Sequence, residues 1–98
     1  MKSTYLVVYR SGPAWIPGKP VAEQPLKEHG SYMLSLYANG VLKYAGPFFD
    51  DAAGVATFEA EDDGGAKAVV AGNSAVLWRV FVAELHAWGL VDWEQHIR

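Results

Sequence analysis

Cysteine is absent from the sequence, and this absence excludes several classes of function. A chain without thiols cannot form disulfides, use a cysteine nucleophile or bind a metal through cysteine ligands. Small secreted domains often need disulfides for stability, so this 98-residue chain is expected to be cytoplasmic. The N-terminal apolar run, residues 5–9, fits this expectation because it is too short for the core of a signal peptide.

Charge is also scarce, and the positive charge is scattered. Only 19% of the residues are charged, the net charge is −3, and the eight Lys and Arg residues form no cluster. Binding to nucleic acid or to an anionic membrane normally requires a basic patch, so neither is an expected partner. No segment approaches the roughly 20 apolar residues that a membrane-spanning helix needs.

Apolar and aromatic residues, in contrast, are abundant. Hydrophobic residues make up 51% of the chain and aromatic residues 13%, which excludes intrinsic disorder. The length is that of one domain, so residues 1–98 are assigned to a single domain. This aromatic content indicates a large apolar surface that is buried in the core or against a partner.

The hydrophobic pattern predicts four strands and two helices. The strands are predicted at residues 4–9, 41–45, 54–60 and 79–88. The first helix is predicted at about residues 22–38, with Pro25 in its first turn and a stop at Asn39-Gly40. The second helix follows the acidic residues 61–63 and ends at Gly72-Asn73.

Two segments are predicted to be irregular. Residues 11–20 contain three prolines and two glycines, which forbid regular structure, yet Trp15 gives this loop an anchor that should hold it in order beside His29. Residues 89–98 form a tail whose only large anchor is Trp93.

The order strand–helix–strand–strand–helix–strand is that of the α+β, ferredoxin-like βαββαβ fold, in which two helices cover one face of an antiparallel sheet. The strands are apolar on both faces, so the second face would expose apolar side chains to water. We therefore predict a homodimer that packs sheet against sheet around a twofold axis. The predicted interface residues lie on the fourth strand: Val80, Val82, Glu84, His86 and Trp88.

His29 carries the sharpest chemical signal, because it lies on the apolar stripe of the first predicted helix with Leu26, Met33 and Leu36. For the residue alone, a structural histidine with one hydrogen-bond partner is the favoured interpretation. The alternative is a general base paired with a carboxylate from the turn at residues 46–51, which ends in Asp50 and Asp51. Adjacent residues of an extended turn point in opposite directions, so only one of the two carboxylates should face His29, and Asp50, directly after Phe48-Phe49, is the preferred one.

The other two histidines fit simpler interpretations. His86 is expected to pack in an interface and His96 to be solvated, and no two histidines have the spacing of a metal site. The glycines match no phosphate-binding pattern, and the serines match no nucleophile elbow.

Several of these segments together resemble the YCII-related (YciI-like) family of the dimeric α/β-barrel superfamily. The resemblance is carried by residues 5–10, GPAWIPGKP at 12–20, EQPLKEHGSYM at 23–33, NGVL at 39–42, GPFFDD at 46–51, Gly54 and AELHAW at 83–88. It spans nearly the whole chain. The chain departs from the family pattern at Asn73-Ser74, where such proteins often have Asp-Pro, so no acid is assigned a role there.

The resemblance implies a ferredoxin-like fold that dimerises through its sheets, with a candidate His–Asp site at His29 and Asp50 and with no cofactor. Some similar proteins act on chlorinated or hydroxylated aromatic compounds or on lactones, by elimination or isomerisation. On this interpretation Tyr32, one helical turn from His29, donates a hydrogen bond to a developing oxyanion, and Trp15 and Phe48 wall the pocket of a small molecule. No metal is expected. The alternative is a non-catalytic module of the same fold that binds a small ligand or serves assembly.

Overall fold

A four-stranded antiparallel sheet forms the centre of the molecule in a computed structural model that describes residues 2–50 and 53–97. The strands are β1 (Ser3–Ser11), β2 (Leu42–Pro47), β3 (Ala53–Ala60) and β4 (Phe81–Ala87), in the spatial order β2-β3-β1-β4. The helices of the described part are α1 (Lys27–Ala38), α2 (Asp63–Ala71) and α3 (Ser74–Leu77), with 3₁₀ turns at Val21–Glu23 and Trp93–His96. The molecule is thus α+β, and its architecture is compatible with the predicted ferredoxin-like fold.

Alternation along the strands sends every second side chain into the core. In β1, Tyr5, Val7 and Tyr9 are buried, whereas Leu6 and Val8 between them are only half-buried. Tyr5 pairs in register with Phe58 of β3, and their rings stack with centroids 5.8 Å apart. This pattern is the period of two that the sequence shows, and it makes β1 the central strand of the core.

The helices cover the face of the sheet that carries these tyrosines. Tyr9 contacts the ring of His29 in α1, and the Tyr5 hydroxyl donates to the carboxylate of Asp63 in α2 at 2.8 Å. The opposite side, here called the open face, carries the alternate residues of every strand. They are half-buried or exposed: Leu6, Val8, Tyr44, Val55, Thr57, Val82, Glu84 and His86.

The first helix begins later than predicted, and Pro25 is the reason. Val21–Glu23 forms a short 3₁₀ turn, Gln24 is extended with ψ of 157°, and α1 starts at Lys27. A residue that precedes proline is driven out of the helical region, so Gln24 cannot join the two segments into one helix. Pro25 therefore lies outside α1 rather than in its first turn.

The second strand ends later than predicted, at Pro47 rather than Ala45. Because β2 is an edge strand, proline removes no hydrogen bond that the sheet needs. Gly46 and Pro47 continue the antiparallel pairing with Val55 and Gly54 of β3. The turn that carries Asp50 is correspondingly shorter.

Two further predictions are corrected near the C-terminus, and one helix there was not predicted. Val80 precedes β4 and is 2% exposed, because Arg79 adopts a left-handed conformation with φ of 60° that turns the chain into the core. Val80 therefore cannot belong to an interface on the open face. The short helix α3 was not predicted, and Trp93 is 70% exposed, so it does not anchor the tail.

Candidate functional site

His29 lies in the first turn of α1, where it is half-buried between aromatic rings. Its ring meets Tyr9 and Phe81 edge-on, with centroids 5.7 and 5.4 Å apart. The apolar stripe placed it there, since Leu26, His29 and the following stripe residues all face the sheet. His29 therefore faces the sheet, as its place on the apolar stripe predicted, and two aromatic rings contact it on that side.

The hydrogen-bond partner of His29 is Asn73, a residue that the sequence analysis did not include in the site. Asn73 is fully buried and N-caps α3, where its Oδ1 accepts a hydrogen bond from the Ala75 amide at 3.1 Å. The same Oδ1 lies 3.0 Å from His29 Nδ1. Asn73 Nδ2 lies 3.5 Å from the Tyr9 hydroxyl, so one side chain joins the helix cap, the histidine and the central strand.

This arrangement assigns the proton of the imidazole ring. The Ala75 backbone amide can only donate, so the atom of Asn73 that faces it must be the oxygen. That oxygen cannot donate to His29, and Nδ1 must therefore carry the hydrogen. In the neutral ring this leaves the lone pair on Nε2.

Nε2 of His29 makes no hydrogen bond to the described residues, since the hydrogen bond of this ring is made through Nδ1. No buried side-chain nitrogen or oxygen of these residues lacks a hydrogen-bond partner, so Nε2 is not fully buried. A histidine held at one nitrogen and accessible at the other has the geometry of a general base with an orienting group.

Asp50 lies in the bend after β2 and is exposed. This bend and His29 are at the same end of the sheet, because Pro47 pairs with Gly54 while Ser11 pairs with Phe81. The hydrogen bond at His29 Nδ1 is made by Asn73 and not by Asp50. Asp51, the alternative partner, lies outside the described residues.

Trp15 packs as predicted, half-buried with its ring 5.9 Å from that of Phe81. Backbone hydrogen bonds from Gly12 to Val80 and from Ala14 to Arg79 tie its loop to the segment before β4. A Cβ at position 12 would collide with the carbonyl oxygen of Arg79, which explains the glycine there.

A second tie on the loop is the buried side chain of Gln24, which the sequence analysis also missed. Its Oε1 accepts from the Ile16 amide at 2.8 Å, and its Nε2 donates to the carbonyls of Ile16 and Lys19 at 3.0 and 2.9 Å. The loop beside His29 is thus held by a side chain that follows it in the sequence. In the sequence, only the position of Gln24 between a proline-rich loop and Pro25 could have pointed to this role.

Phe48 and Tyr32, the two other predicted pocket residues, lie in different parts of the molecule. Phe48 is half-buried in the turn after β2. The Tyr32 hydroxyl donates to the carbonyl of Val69 at 2.6 Å, and burial raises the pKa of Tyr32. Its proton is therefore engaged between α1 and α2, where it stabilises the contact of the two helices rather than facing a ligand.

Two cavities lie on the sheet. The smaller one, about 210 Å³, shares Tyr9 and Phe81 with the surroundings of His29. Its other lining residues belong to the 3₁₀ turn and to the ends of β2 and β3: Val21, Ala45, Gly46, Pro47, Gly54 and Val55. The larger one, about 640 Å³, lies on the open face and includes Leu6, Tyr44, Thr57, Trp88 and Leu90 in its walls.

In the part of the chain that the structure describes, no group of three or more His, Asp or Glu side chains could hold a metal ion. No helix of the same residues is long and apolar enough to cross a membrane. No protein-family model matches the chain, and no curated protein matches its sequence.

Proposed function

We propose that this protein is a cofactor-independent acid–base enzyme in which Nε2 of His29 removes or returns a proton. The observation that carries the proposal is the hydrogen bond from His29 Nδ1 to buried Asn73, with Nε2 left accessible. A base that is fixed in one tautomer presents its lone pair in one direction. In a catalytic triad the third residue fixes the histidine in this way, and Asn73 is the corresponding residue of this proposal.

Asn73 gives this site a different character from a His–Asp pair. An amide orients the imidazole through the same hydrogen bond but brings no negative charge to Nδ1. Asp50, at the same end of the sheet as His29, is proposed as the second acid–base group, acting on the substrate rather than on the imidazole. Elimination and isomerisation both need such a pair of proton-transfer groups.

The proposed substrate is a small, partly apolar molecule, aromatic or a lactone. The aromatic surroundings of His29 support this, since Tyr9 and Phe81 also line the adjacent cavity and Trp15 packs against Phe81. Membership of the YCII-related family remains a proposal, supported by the element order and by the placement of His29. A homodimer through the open face and a location in the cytosol are proposals of the same kind.

The test is a panel of small lactones and of chlorinated and hydroxylated aromatic compounds, incubated in deuterium oxide and followed by absorbance and mass spectrometry. We expect turnover or deuterium incorporation with the wild-type protein and its loss in His29→Gln. The matched control is Ser31→Ala on the exposed side of α1, which should keep wild-type rates. Equal rates in His29→Gln and wild type would contradict a catalytic role for His29.

The second candidate function is a non-catalytic module that binds a small ligand. One observation favours it: the larger cavity lies on the open face, and its walls do not include His29. A ligand of this cavity should raise the thermal unfolding midpoint of wild type and His29→Gln equally. A ligand of the proposed acid–base site should lose its effect in that variant.

A further inference from the structure

The C-terminal arm, here residues 89–97, carries large apolar side chains that the rest of the described chain leaves uncovered. They are between 50 and 75% exposed: Leu90, Val91, Trp93 and Ile97. The hydrogen bond and the ring contact of this segment are internal, from Gln95 to the Asp92 carbonyl and between Trp93 and His96. Apolar groups at this density in an arm indicate a partner surface.

A surface of matching chemistry begins where the arm leaves the sheet. Trp88 continues the pairing of β4 with β1 through a hydrogen bond to the Thr4 carbonyl. Trp88 and Leu90 then form one end of the open-face groove, which is the cavity of about 640 Å³. From there the groove crosses β1 and follows β3 and β2 as far as Pro47, and Tyr44 in its wall is 80% exposed.

We propose that the arm of one copy of this chain lies in the open-face groove of a second copy, and that the two copies exchange arms reciprocally. Both the arm and the groove are then covered by one contact, which a twofold axis repeats and closes. The proposal is independent of the acid–base function of His29, since neither His29 nor its ring neighbours Tyr9 and Phe81 line the groove.

The area of the exposed side chains supports a stable dimer. Trp88 and the four apolar residues of the arm together expose on the order of 600 Å² per chain, given the size of aromatic and aliphatic side chains. Two copies that covered these residues completely would bury up to about 1,200 Å² from them alone, which is the lower limit for specific interfaces. The groove walls add to this area.

The length of the arm also fits. Seven described residues follow Leu90, four of them in the 3₁₀ turn Trp93–His96, so at about 2.0 Å per residue in the turn and about 3.3 Å elsewhere they reach roughly 18 Å. The six residues of β2 along the groove span about 20 Å, so an arm that leaves its own sheet after Leu90 covers most of the groove of a neighbour. Gly89 has open space around its Cβ position, so the chain is unhindered where the arm departs.

The first test is light scattering coupled to size-exclusion chromatography over a range of protein concentrations. The variant Trp93→Ser with Ile97→Ser should dimerise at least tenfold more weakly than wild type. The matched control is Trp78→Ser, because Trp78 is 57% exposed at the end of α3 on the helix side of the sheet. An arm variant that dimerises like wild type would overturn the proposal, and so would a wild-type protein that is monomeric.

The second test uses the absence of cysteine, which makes a single introduced thiol specific. A mixture of Tyr44→Cys and Ile97→Cys proteins, joined by a short bifunctional maleimide, should give a cross-linked heterodimer. A mixture of Leu34→Cys and Ile97→Cys should not, because Leu34 is exposed on α1. A third protein carries both Tyr44→Cys and Ile97→Cys in one chain. A cross-link within that single chain would show that the arm lies in its own groove and would refute the exchange. A small molecule that native mass spectrometry finds bound in the groove would refute it as well.

Discussion

Asn73 is the residue on which most of the site depends, although it carries no charge and is fully buried. Its oxygen is shared between the cap of α3 and the imidazole of His29, so helix formation and orientation of the base use the same atom. The sequence marked this position only as a departure from a family pattern. A side-chain hydrogen bond between residues 44 positions apart has no periodicity, which is why His29 could be predicted and its partner could not.

Replacement of Asn73 by alanine should be among the more damaging single changes. Asn73→Ala removes an N-cap and leaves His29 Nδ1 without its partner, which together should cost about 2–3 kcal/mol of unfolding free energy. Urea denaturation measures this cost. The control is Asn39→Ala at the exposed end of α1, expected to stay within about 0.5 kcal/mol of wild type. A similar small change for both variants would mean that the Asn73 bonds contribute little.

At the scale of elements, the existence of the strands and the ends of the two longer helices could be predicted, and the start of the first helix could not. A period of two with one buried face is local information, and β1 and β3 show it clearly. The start of α1 was wrong because the apolar stripe continues through a proline that local sterics exclude from the helix. The four residues of α3 were missed because a single turn is too short to show an apolar period, and only its N-cap, Asn73, marks it.

The loop before α1 should depend on the single side chain of Gln24. Gln24→Ala removes three hydrogen bonds to loop backbone, so the Ile16 amide should exchange its hydrogen much faster with solvent. Unfolding free energy should fall by about 1–3 kcal/mol. Amide exchange followed by NMR tests the first expectation, with Gln95→Ala in the exposed arm as the control. Unchanged protection of Ile16 in Gln24→Ala would show that the loop is held by other contacts.

The contact between α1 and α2 contributes to the free energy of unfolding, and this contribution should change at alkaline pH. Tyr32 joins the helices through its hydroxyl, and its pKa is raised above 10.0 by burial. Unfolded tyrosine loses its proton near pH 10, before the folded residue does, so this stabilisation is complete below pH 10 and is lost as the pH rises further. Tyr5 acts in the same direction, because its hydrogen bond to Asp63 raises its pKa.

Tyr32→Phe should therefore be less stable than wild type at pH 8, by about 1 kcal/mol, because it lacks the hydrogen bond to Val69. At pH 11 the difference should shrink, since the wild type alone loses the tyrosine contribution. Urea denaturation at both pH values gives the two differences. Tyr37→Phe, at a residue 63% exposed on α1, should follow wild type at both. A constant difference for Tyr32→Phe would contradict the assignment.

At the scale of the whole molecule, α1, α2 and the short α3 cover one face of the sheet, and the open face stays uncovered in the described chain. The core face is complete, with Val7, Ala56 and Phe58 each 1% exposed. The open face mixes apolar side chains with a few charges that are already paired. Glu84 accepts a hydrogen bond from His86 at 2.6 Å, which lowers the pKa of Glu84, and Lys43 lies 3.4 Å from Glu59. Paired charges of this kind can be covered at lower cost than free ones.

Val82 offers the cleanest test of a dimer through this face. It is 52% exposed on β4 and pairs in register with Arg10, so Val82→Glu places a carboxylate beside a guanidinium and should leave the monomer folded. In a sheet-to-sheet dimer the same carboxylate would be buried in an apolar contact, and association should weaken at least tenfold, or about 1.4 kcal/mol. Light scattering across a dilution series measures the dissociation constant, and circular dichroism verifies the fold. Leu77→Glu, 64% exposed at the end of α3, should dimerise like wild type. If Val82→Glu does so as well, the two sheets do not pack against each other at β4, and the apolar residues of that part of the open face must be covered in another way.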